Sequence, residues 1–252
     1  MLLVCDIGNS KIKSAFFKDD KISGIKIFKD ADSLIKFISG KKISAAAFSS
    51  VVPEKLKYLK EQFFYYFGFK PVTITKDSRF NLKIGYHTPG TLGTDRICSA
   101  EGAFYLFNLK NVYNKNSVII SIDSGTATTI NIIKYNGIFA GGLILPGINM
   151  MFKSLKNETA QLPRVKASEY KSLIGNSTKS SIASGVINAT MGAVQRTTDY
   201  IKQKNSKSRV KIFITGGNAK FILPYLSYDY VYEQGLVLYG IKAIYDNIVK
   251  VQ

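Results

Sequence analysis

Apolar and polar positions follow two rhythms along this chain, and the switches between them mark out its elements. Leu2-Leu3-Val4-Cys5-Asp6-Ile7 is a short apolar run closed by Gly8, the pattern of a buried strand ending in a turn. Ile12 to Phe17 and Lys21 to Ile27 read as two more strands around the Lys18-Asp19-Asp20 turn, completing a meander. Asp32 to Ser39 sets Leu34, Ile35 and Ile38 on one helical face, and Ser44 to Val52 is another buried strand. Glu54 to Phe67 predicts an amphipathic helix with Leu56, Leu59, Phe63 and Phe67 inward, stopped by Gly68, and Pro71 to Thr75 a short strand. Residues 76–94 carry turn signals without periodicity, and Asp95 to Leu109 reads as a helix with Ala100, Ala103 and Phe107 in the core.

A polar stretch, Asn111 to Asn116, is the candidate domain boundary, and the order then repeats. Val118 to Ile122, Thr128 to Tyr135 and Ile138 to Leu145 form a second meander. Helices at Ile148 to Leu155 and Ser180 to Lys204, a strand at Val210 to Thr215 and a helix at Glu233 to Val249 follow. Strand-strand-strand-helix-strand-helix, twice, predicts an α/β chain of two halves, 1–115 and 116–252, each a mixed sheet with a three-strand meander and flanking helices.

Composition narrows this little. A chain of 252 residues with 46% hydrophobic and 21% charged residues is an ordinary globular protein. The most apolar stretch, Gly137 to Phe152, is broken by four glycines and Pro146, which argues against a membrane span. The chain starts directly in a strand pattern, without a basic and apolar leader, and Cys5 and Cys98 give no disulfide framework, so the cytoplasm is the expected compartment. The net charge of +18 is spread along the sequence without clustering or a nucleic-acid module. It fits the attraction of anionic small molecules better than a nucleic-acid partner.

The candidate chemistry sits at the turns. Asp6-Ile7-Gly8-Asn9-Ser10-Lys11 has the composition of a phosphate cradle, in which glycine admits a close backbone and N–H groups, a hydroxyl and a base meet the anion. A plain β-hairpin is the alternative. Asp123-Ser124-Gly125-Thr126-Ala127-Thr128-Thr129 repeats the pattern about half the chain later, offering a carboxylate and hydroxyls suited to a hard cation, or else a threonine-rich edge strand. Gly93-Thr94-Asp95-Arg96 opens a helix. Asp95 is there either a cap or a base that accepts a hydroxyl proton while Arg96 orients the acceptor. Gly141 to Gly147 and Thr215-Gly216-Gly217-Asn218 permit close backbone packing or the approach of a nucleoside. His87 is the sole histidine, which leaves zinc sites and Ser-His-Asp catalysis little support.

Taken in order, these motifs, with Ser49-Ser50-Val51-Val52-Pro53, Tyr86 to Arg96 and Gly175-Asn176-Ser177-Thr178, resemble the type III pantothenate kinase family over nearly the whole chain. The resemblance implies a duplicated actin-like (ribonuclease H-like) fold with the active cleft between its halves, and ATP-dependent phosphorylation of pantothenate. It implies that Asp6, Ile7, Gly8, Asn9, Ser10, Lys11, Ile12 and Lys13 lie along the ATP phosphates, with Asp6 on the divalent metal, Mg2+ or another. Asp95 would be the base. Tyr86, Gly93, Thr94, Asp95, Arg96 and Thr178 would bind pantothenate, Thr178 from the partner of a homodimer. Asp123 would hold potassium or ammonium and Thr126 would touch ATP. The helix from Ser180, with Ile182, Val186, Ala189, Ala193 and Ile201, is the candidate dimer interface. Ser10, Thr88, Thr94 and Ser124 depart from the family's usual residues without removing a charged group. A non-enzymatic transcriptional accessory factor of the same fold, and another superfamily enzyme such as a sugar or acid kinase or a phosphatase, are the competing readings.

Overall fold

The structure is a computed structural model that describes residues 1–109, 116–204 and 209–250. Residues 111–115 of the expected boundary stretch lie outside the described residues. The described chain divides into two units, one of residues 1–109, 136–140 and 235–250, the other of residues 116–135, 141–204 and 209–234.

In the first unit, β1 (Leu2–Ile7), β2 (Ile12–Lys18) and β3 (Lys21–Phe28) form the expected antiparallel meander. After α1 (Ala31–Ile38), β4 (Ala45–Ser50) pairs parallel with β1. After α2 (Pro53–Phe67), β5 (Val72–Ile74) adds outside β4, giving the order β3-β2-β1-β4-β5. Local chemistry sets the helix ends. Asp30 caps α1 by accepting from the Ser33 N–H at 2.9 Å, Pro53 opens α2, and Gly68 closes it at φ 72°, a conformation costly for other residues. Alternation along β1 puts Leu3, Cys5 and Ile7 against α1 and α2, in a core with Leu34, Ile38, Phe48, Leu59 and Phe63. Val4 and Asp6 therefore face the opposite side of the sheet, where α3 (Thr94–Leu109) and α6 (Leu236–Val249) pack. Those two helices cross backbone to backbone. A Cβ on Gly102 would overlap the Leu236 carbonyl, and one on Gly240 would overlap the Cys98 carbonyl. Inside this unit, β6 (Lys83–Ile84) also pairs with the first residues of β9 (Ile138–Pro146).

In the second unit, β7 (Ser117–Ser124) and β8 (Ala127–Lys134) are antiparallel, while β10 (Arg209–Thr215) and β11 (Tyr230–Tyr232) run parallel on the far side of β7. The rest of β9 lies beside β8, giving the order β11-β10-β7-β8-β9 in this unit. α4 (Ile148–Asn157) and α5 (Thr178–Lys204) cover it, Ile120, Ile122, Ile130, Ile212 and Ile214 packing with Val194 of α5. Of the residues expected at a dimer interface, Val186, Ile182, Ala193 and Ile201 pack into this unit's own core, and only Ala189 is exposed. Two further elements differ from expectation. Tyr230–Tyr232 is a strand, and the last helix starts at Leu236 because the Glu233 N–H is tied to the Ile214 carbonyl at 2.9 Å. No helix among the described residues is long and apolar enough to cross a membrane.

Candidate active site

Asp6 is the penultimate residue of β1, with Ser49 of β4 as its register partner on one side and Lys13 of β2 on the other. The turn after it is tight, Gly8 donating to the Lys11 carbonyl at 3.0 Å. A neighbouring strand end braces it. The Ser50 hydroxyl donates to the Ile7 carbonyl at 3.1 Å and accepts from the Val52 N–H at 2.9 Å. Lys55, in the first turn of α2, donates to the Asn9 carbonyl at 2.6 Å, with the Gly8 carbonyl at 3.4 Å. Ile7 and Ile12 bury their side chains in the core, so only their backbones are offered to a ligand. Asn9, Ser10 and Lys11 are exposed, while Asp6 and Lys13 are half-buried.

α3 brings a second carboxylate to the same strand ends. Its first turn carries Asp95, half-buried, and the Thr94 hydroxyl donates to the Ser50 carbonyl at 3.4 Å. One turn on, the Cys98 thiol donates to the Ser49 hydroxyl at 3.6 Å. Burial pushes that thiol well above its ordinary value, and the negative charges of Asp6, Glu101 and Asp95 push it further. Asp6 and Asp95 thus act on one buried sulfur, and burial likewise keeps Cys5 protonated, with Asp6 adding to the effect. Gly93 makes room for the Asp95 carboxylate, since a Cβ there would lie far inside contact range of Oδ1 with Cγ at 3.6 Å.

Arg96 is buried, 4% exposed, with its guanidinium 5.7 Å from the Tyr86 ring centroid and 5.6 Å from that of Phe139. The rings meet edge to face at 6.1 Å, an arrangement that fixes a planar cation. Phe139 escapes sequence reasoning because it reads as one more core residue of a strand. Only the short pairing of β6 with β9, continued by the Gly85 N–H to the Phe139 carbonyl at 2.9 Å, places Tyr86 beside it. Tyr86, Gly93, Thr94, Asp95 and Arg96 therefore share one unit with the Asp6 turn. His87 is exposed in the preceding loop.

Asp123, Thr126 and Thr178 belong to the other unit. Asp123, next to last in β7, lies between Thr129 of β8 and Thr215 of β10, half-buried, and Thr126 is exposed. Glycine junctions clamp this turn. Gly147 donates to the Thr126 carbonyl at 3.1 Å, and a Cβ on it would sit 2.6 Å from the Gly125 carbonyl. Gly216, at φ 99°, lies directly on Ser124, which explains the glycine twice over. Asn218 donates its N–H to the Ser124 carbonyl at 2.9 Å and its side-chain amide to the Gly125 carbonyl at 2.8 Å, with Asn149 donating to its oxygen at 2.9 Å. Asn149 escapes sequence reasoning, whereas Asn218 stands in the Thr215–Asn218 motif that marks a junction. Thr178 is exposed at the first turn of α5, beside a Ser177–Ser180 hydroxyl pair at 2.8 Å.

Among the described residues, no group of three or more His, Cys, Asp or Glu could hold a metal ion. A divalent ion placed at Asp6 would meet at most two such side chains, which would suit Mg2+ completing its shell from phosphate oxygens and water.

A family model described as type III pantothenate kinase matches residues 2–200. The type III pantothenate kinase of Sulfurihydrogenibium sp. (strain YO3AOP1) is 32% identical over 255 residues, covering 96% of this chain and 98% of its own. That of Thermosipho africanus is 33% identical over 257 residues, covering 98% and 99%. Among solved structures, a Campylobacter jejuni protein described as a conserved Baf family transcriptional activator matches with a TM-score of 0.59 at 21% identity, covering 98% of this chain and 99% of its own. Component A of the Acidaminococcus fermentans (R)-2-hydroxyglutaryl-CoA dehydratase matches at 0.50 and 13%, covering 97% and 96%. At such identities the structural likenesses carry the fold alone, a duplicated actin-like arrangement of two mixed sheets with flanking helices. The sequence matches carry more: the chain belongs to the type III pantothenate kinase family.

Proposed function

We propose that Asp95 is the base in the reaction of this kinase and that the Asp6 turn receives the phosphates of ATP. The chain is a pantothenate kinase, phosphorylating pantothenate in coenzyme A biosynthesis. What supports the assignment of Asp95 is its place: half-buried at the start of α3, next to the strand ends that carry Asp6, with Arg96 fixed beside it. Asp95 accepts a hydrogen bond from the acceptor's primary hydroxyl and takes its proton late, as the bond to phosphorus forms. An alcohol is far too weak an acid for an ordinary aspartate to ionise it first. Arg96, with Tyr86 and Thr94, orients pantothenate, and Gly93 serves that site by leaving room for the Asp95 carboxylate. Positioning and charge are what such reactions ask of a protein.

The Gly8–Lys13 backbone, the Ser10 hydroxyl and the ammonium groups of Lys11 and Lys13 hold the phosphates. Asp6 holds the Mg2+ that accompanies ATP, an ion that when bound offsets phosphate charge. In the second half, Asp123 is our potassium or ammonium ligand and Thr126 a contact to ATP, supported by the rigidity that Gly147, Gly216 and Asn218 lend their turn. As segments of sequence the halves are 1–115 and 116–252. A homodimer, with Thr178 reaching the partner's pantothenate, is supported by exposed apolar residues just before it, Leu173 at 69% and Ile174 at 82%. Two unpaired buried cysteines fit a cytoplasmic setting. An acceptor panel with ATP, read as ADP release, tests the substrate assignment. Pantothenate-dependent release is expected, and release only with a sugar or a carboxylic acid would overturn it.

A further inference from the structure

We propose that the angle between the C-terminal halves of α3 and α6 is a binding site for a small amine, a primary ammonium or amide N–H donor on a compact apolar body. The two helices touch at Gly102 and Gly240, where neither has a side chain to hold them apart, and larger residues follow on both. Beyond the crossing the helices flank a half-open cavity of about 440 Å³, within the range of ligand sites. It lies wholly in the first unit. None of the residues lining it is among those assigned above to ATP or pantothenate.

Its walls are Phe104, the Tyr105 ring and Ala243, and its polar groups include the carboxylates of Glu101 and Asp246 and the amides of Asn81 and Asn108. Glu101 is 1% exposed. Its Oε1 accepts from the Leu82 N–H at 2.8 Å and its Oε2 from the Asn81 amide at 3.0 Å, so each oxygen keeps a lone pair in reserve. The Oδ1 of Asn108 is buried and has no hydrogen-bond partner among the described residues. Asp246 shares the cavity and is bound by Lys242 at 2.6 Å. Among the described lining residues, Lys250 is the single cation. The unpartnered Asn108 oxygen and the spare lone pairs of Glu101 can accept from an N–H donor, while the carboxylates of Glu101 and Asp246 disfavour a third carboxylate beside them. One or two waters would satisfy Asn108 without filling so large a space. Glu101 stands six residues after Asp95, about 9 Å along the helix axis, so an occupant would rest on the helix that carries the base.

The test uses the full chain, with benzylamine as the probe and benzoate as its charge-reversed counterpart, each followed by amide chemical shifts on titration. Saturable shifts in α3 and α6 with a Kd of about 1 mM are expected, the scale for a probe of this size, with benzoate at least about 10-fold weaker. Asn108→Leu, which removes the acceptor on a partly exposed helix position, and Ala243→Leu, which fills the wall, should each weaken benzylamine at least about 10-fold and leave basal turnover unchanged. Absence of saturable shifts to about 20 mM, equal binding of benzoate, or an Asn108→Leu protein that binds benzylamine like the wild type would overturn the proposal.

Discussion

Gly93 offers the sharpest perturbation of the proposed base, because it alters the position of Asp95 without altering its chemistry. A Cβ at residue 93 would lie far inside contact distance of Asp95 Oδ1, and an ordinary contact begins at about 3.4 Å, so the carboxylate has to move by about 1 Å. Gly93 is not among the glycines with positive φ, so alanine brings no backbone strain of its own. A misplacement of that size costs about 10²-fold in rate, roughly 2.7 kcal/mol of transition-state stabilisation. Gly93→Ala should therefore lower kcat by about 10- to 100-fold while the melting temperature stays within a few degrees. Initial rates of ADP release against pantothenate concentration measure the first quantity and calorimetry the second. The double variant with Asp95→Asn completes the logic. If Gly93 acts only through the carboxylate, adding Gly93→Ala to Asp95→Asn changes kcat little. Wild-type turnover in Gly93→Ala, or a full independent loss on top of Asp95→Asn, would refute the reasoning.

The remaining predictions test packing, charge and the second turn. Gly240→Ala places a Cβ into the Cys98 carbonyl, whose carbon would be 2.7 Å away, and forces α3 and α6 apart. Overpacking of about 1–3 kcal/mol should lower the melting temperature by roughly 2–12 °C, and an unchanged value would contradict the backbone-to-backbone crossing. Burial raises the Glu101 carboxyl above its ordinary value, against the hydrogen bonds from Leu82 and Asn81, which lower it. Below the unfolded-state value its contribution is fully present. As pH rises from there to the raised folded-state value, stability is lost because only the folded chain still holds the proton. The stability of the wild type minus that of Glu101→Gln should thus fall with pH across that window, and a rising difference would contradict the burial argument. Asp123→Ala should abolish the response of turnover to potassium, and equal rates in potassium and sodium for the wild-type enzyme would remove the role given to Asp123.

Local pattern carried the parts of this structure that local chemistry decides. The meander from Leu2, the proline start and glycine stop of α2, and the helix that presents Asp95 all follow from periodicity and turn residues near in sequence. What escaped depends on distant pairing. β6 and β11 are two and three residues long, and they exist because β9 and β10 accept them, not because their own residues alternate. Phe139 and Asn218 became site-forming residues for the same reason, one by lying against Arg96 and the other by reaching across to Gly125. The glycine junctions were recognisable as places of close approach, yet only the coordinates identify Ser124, Gly125 and Thr126 as what they approach. The apolar stripe of α5 shows the limit from the other side. A helical period marks a face that is covered, and in this chain most of that face is covered by its own unit.

The most direct test of the central claim is the mass of the product formed from pantothenate and ATP, measured for the wild type and for Asp95→Asn at matched folded concentration. The account predicts phosphorylated pantothenate from the wild type and a rate about 10²–10⁴-fold lower from the variant. Turnover that survives Asp95→Asn undiminished, or no phosphorylated pantothenate from the wild type, would contradict it.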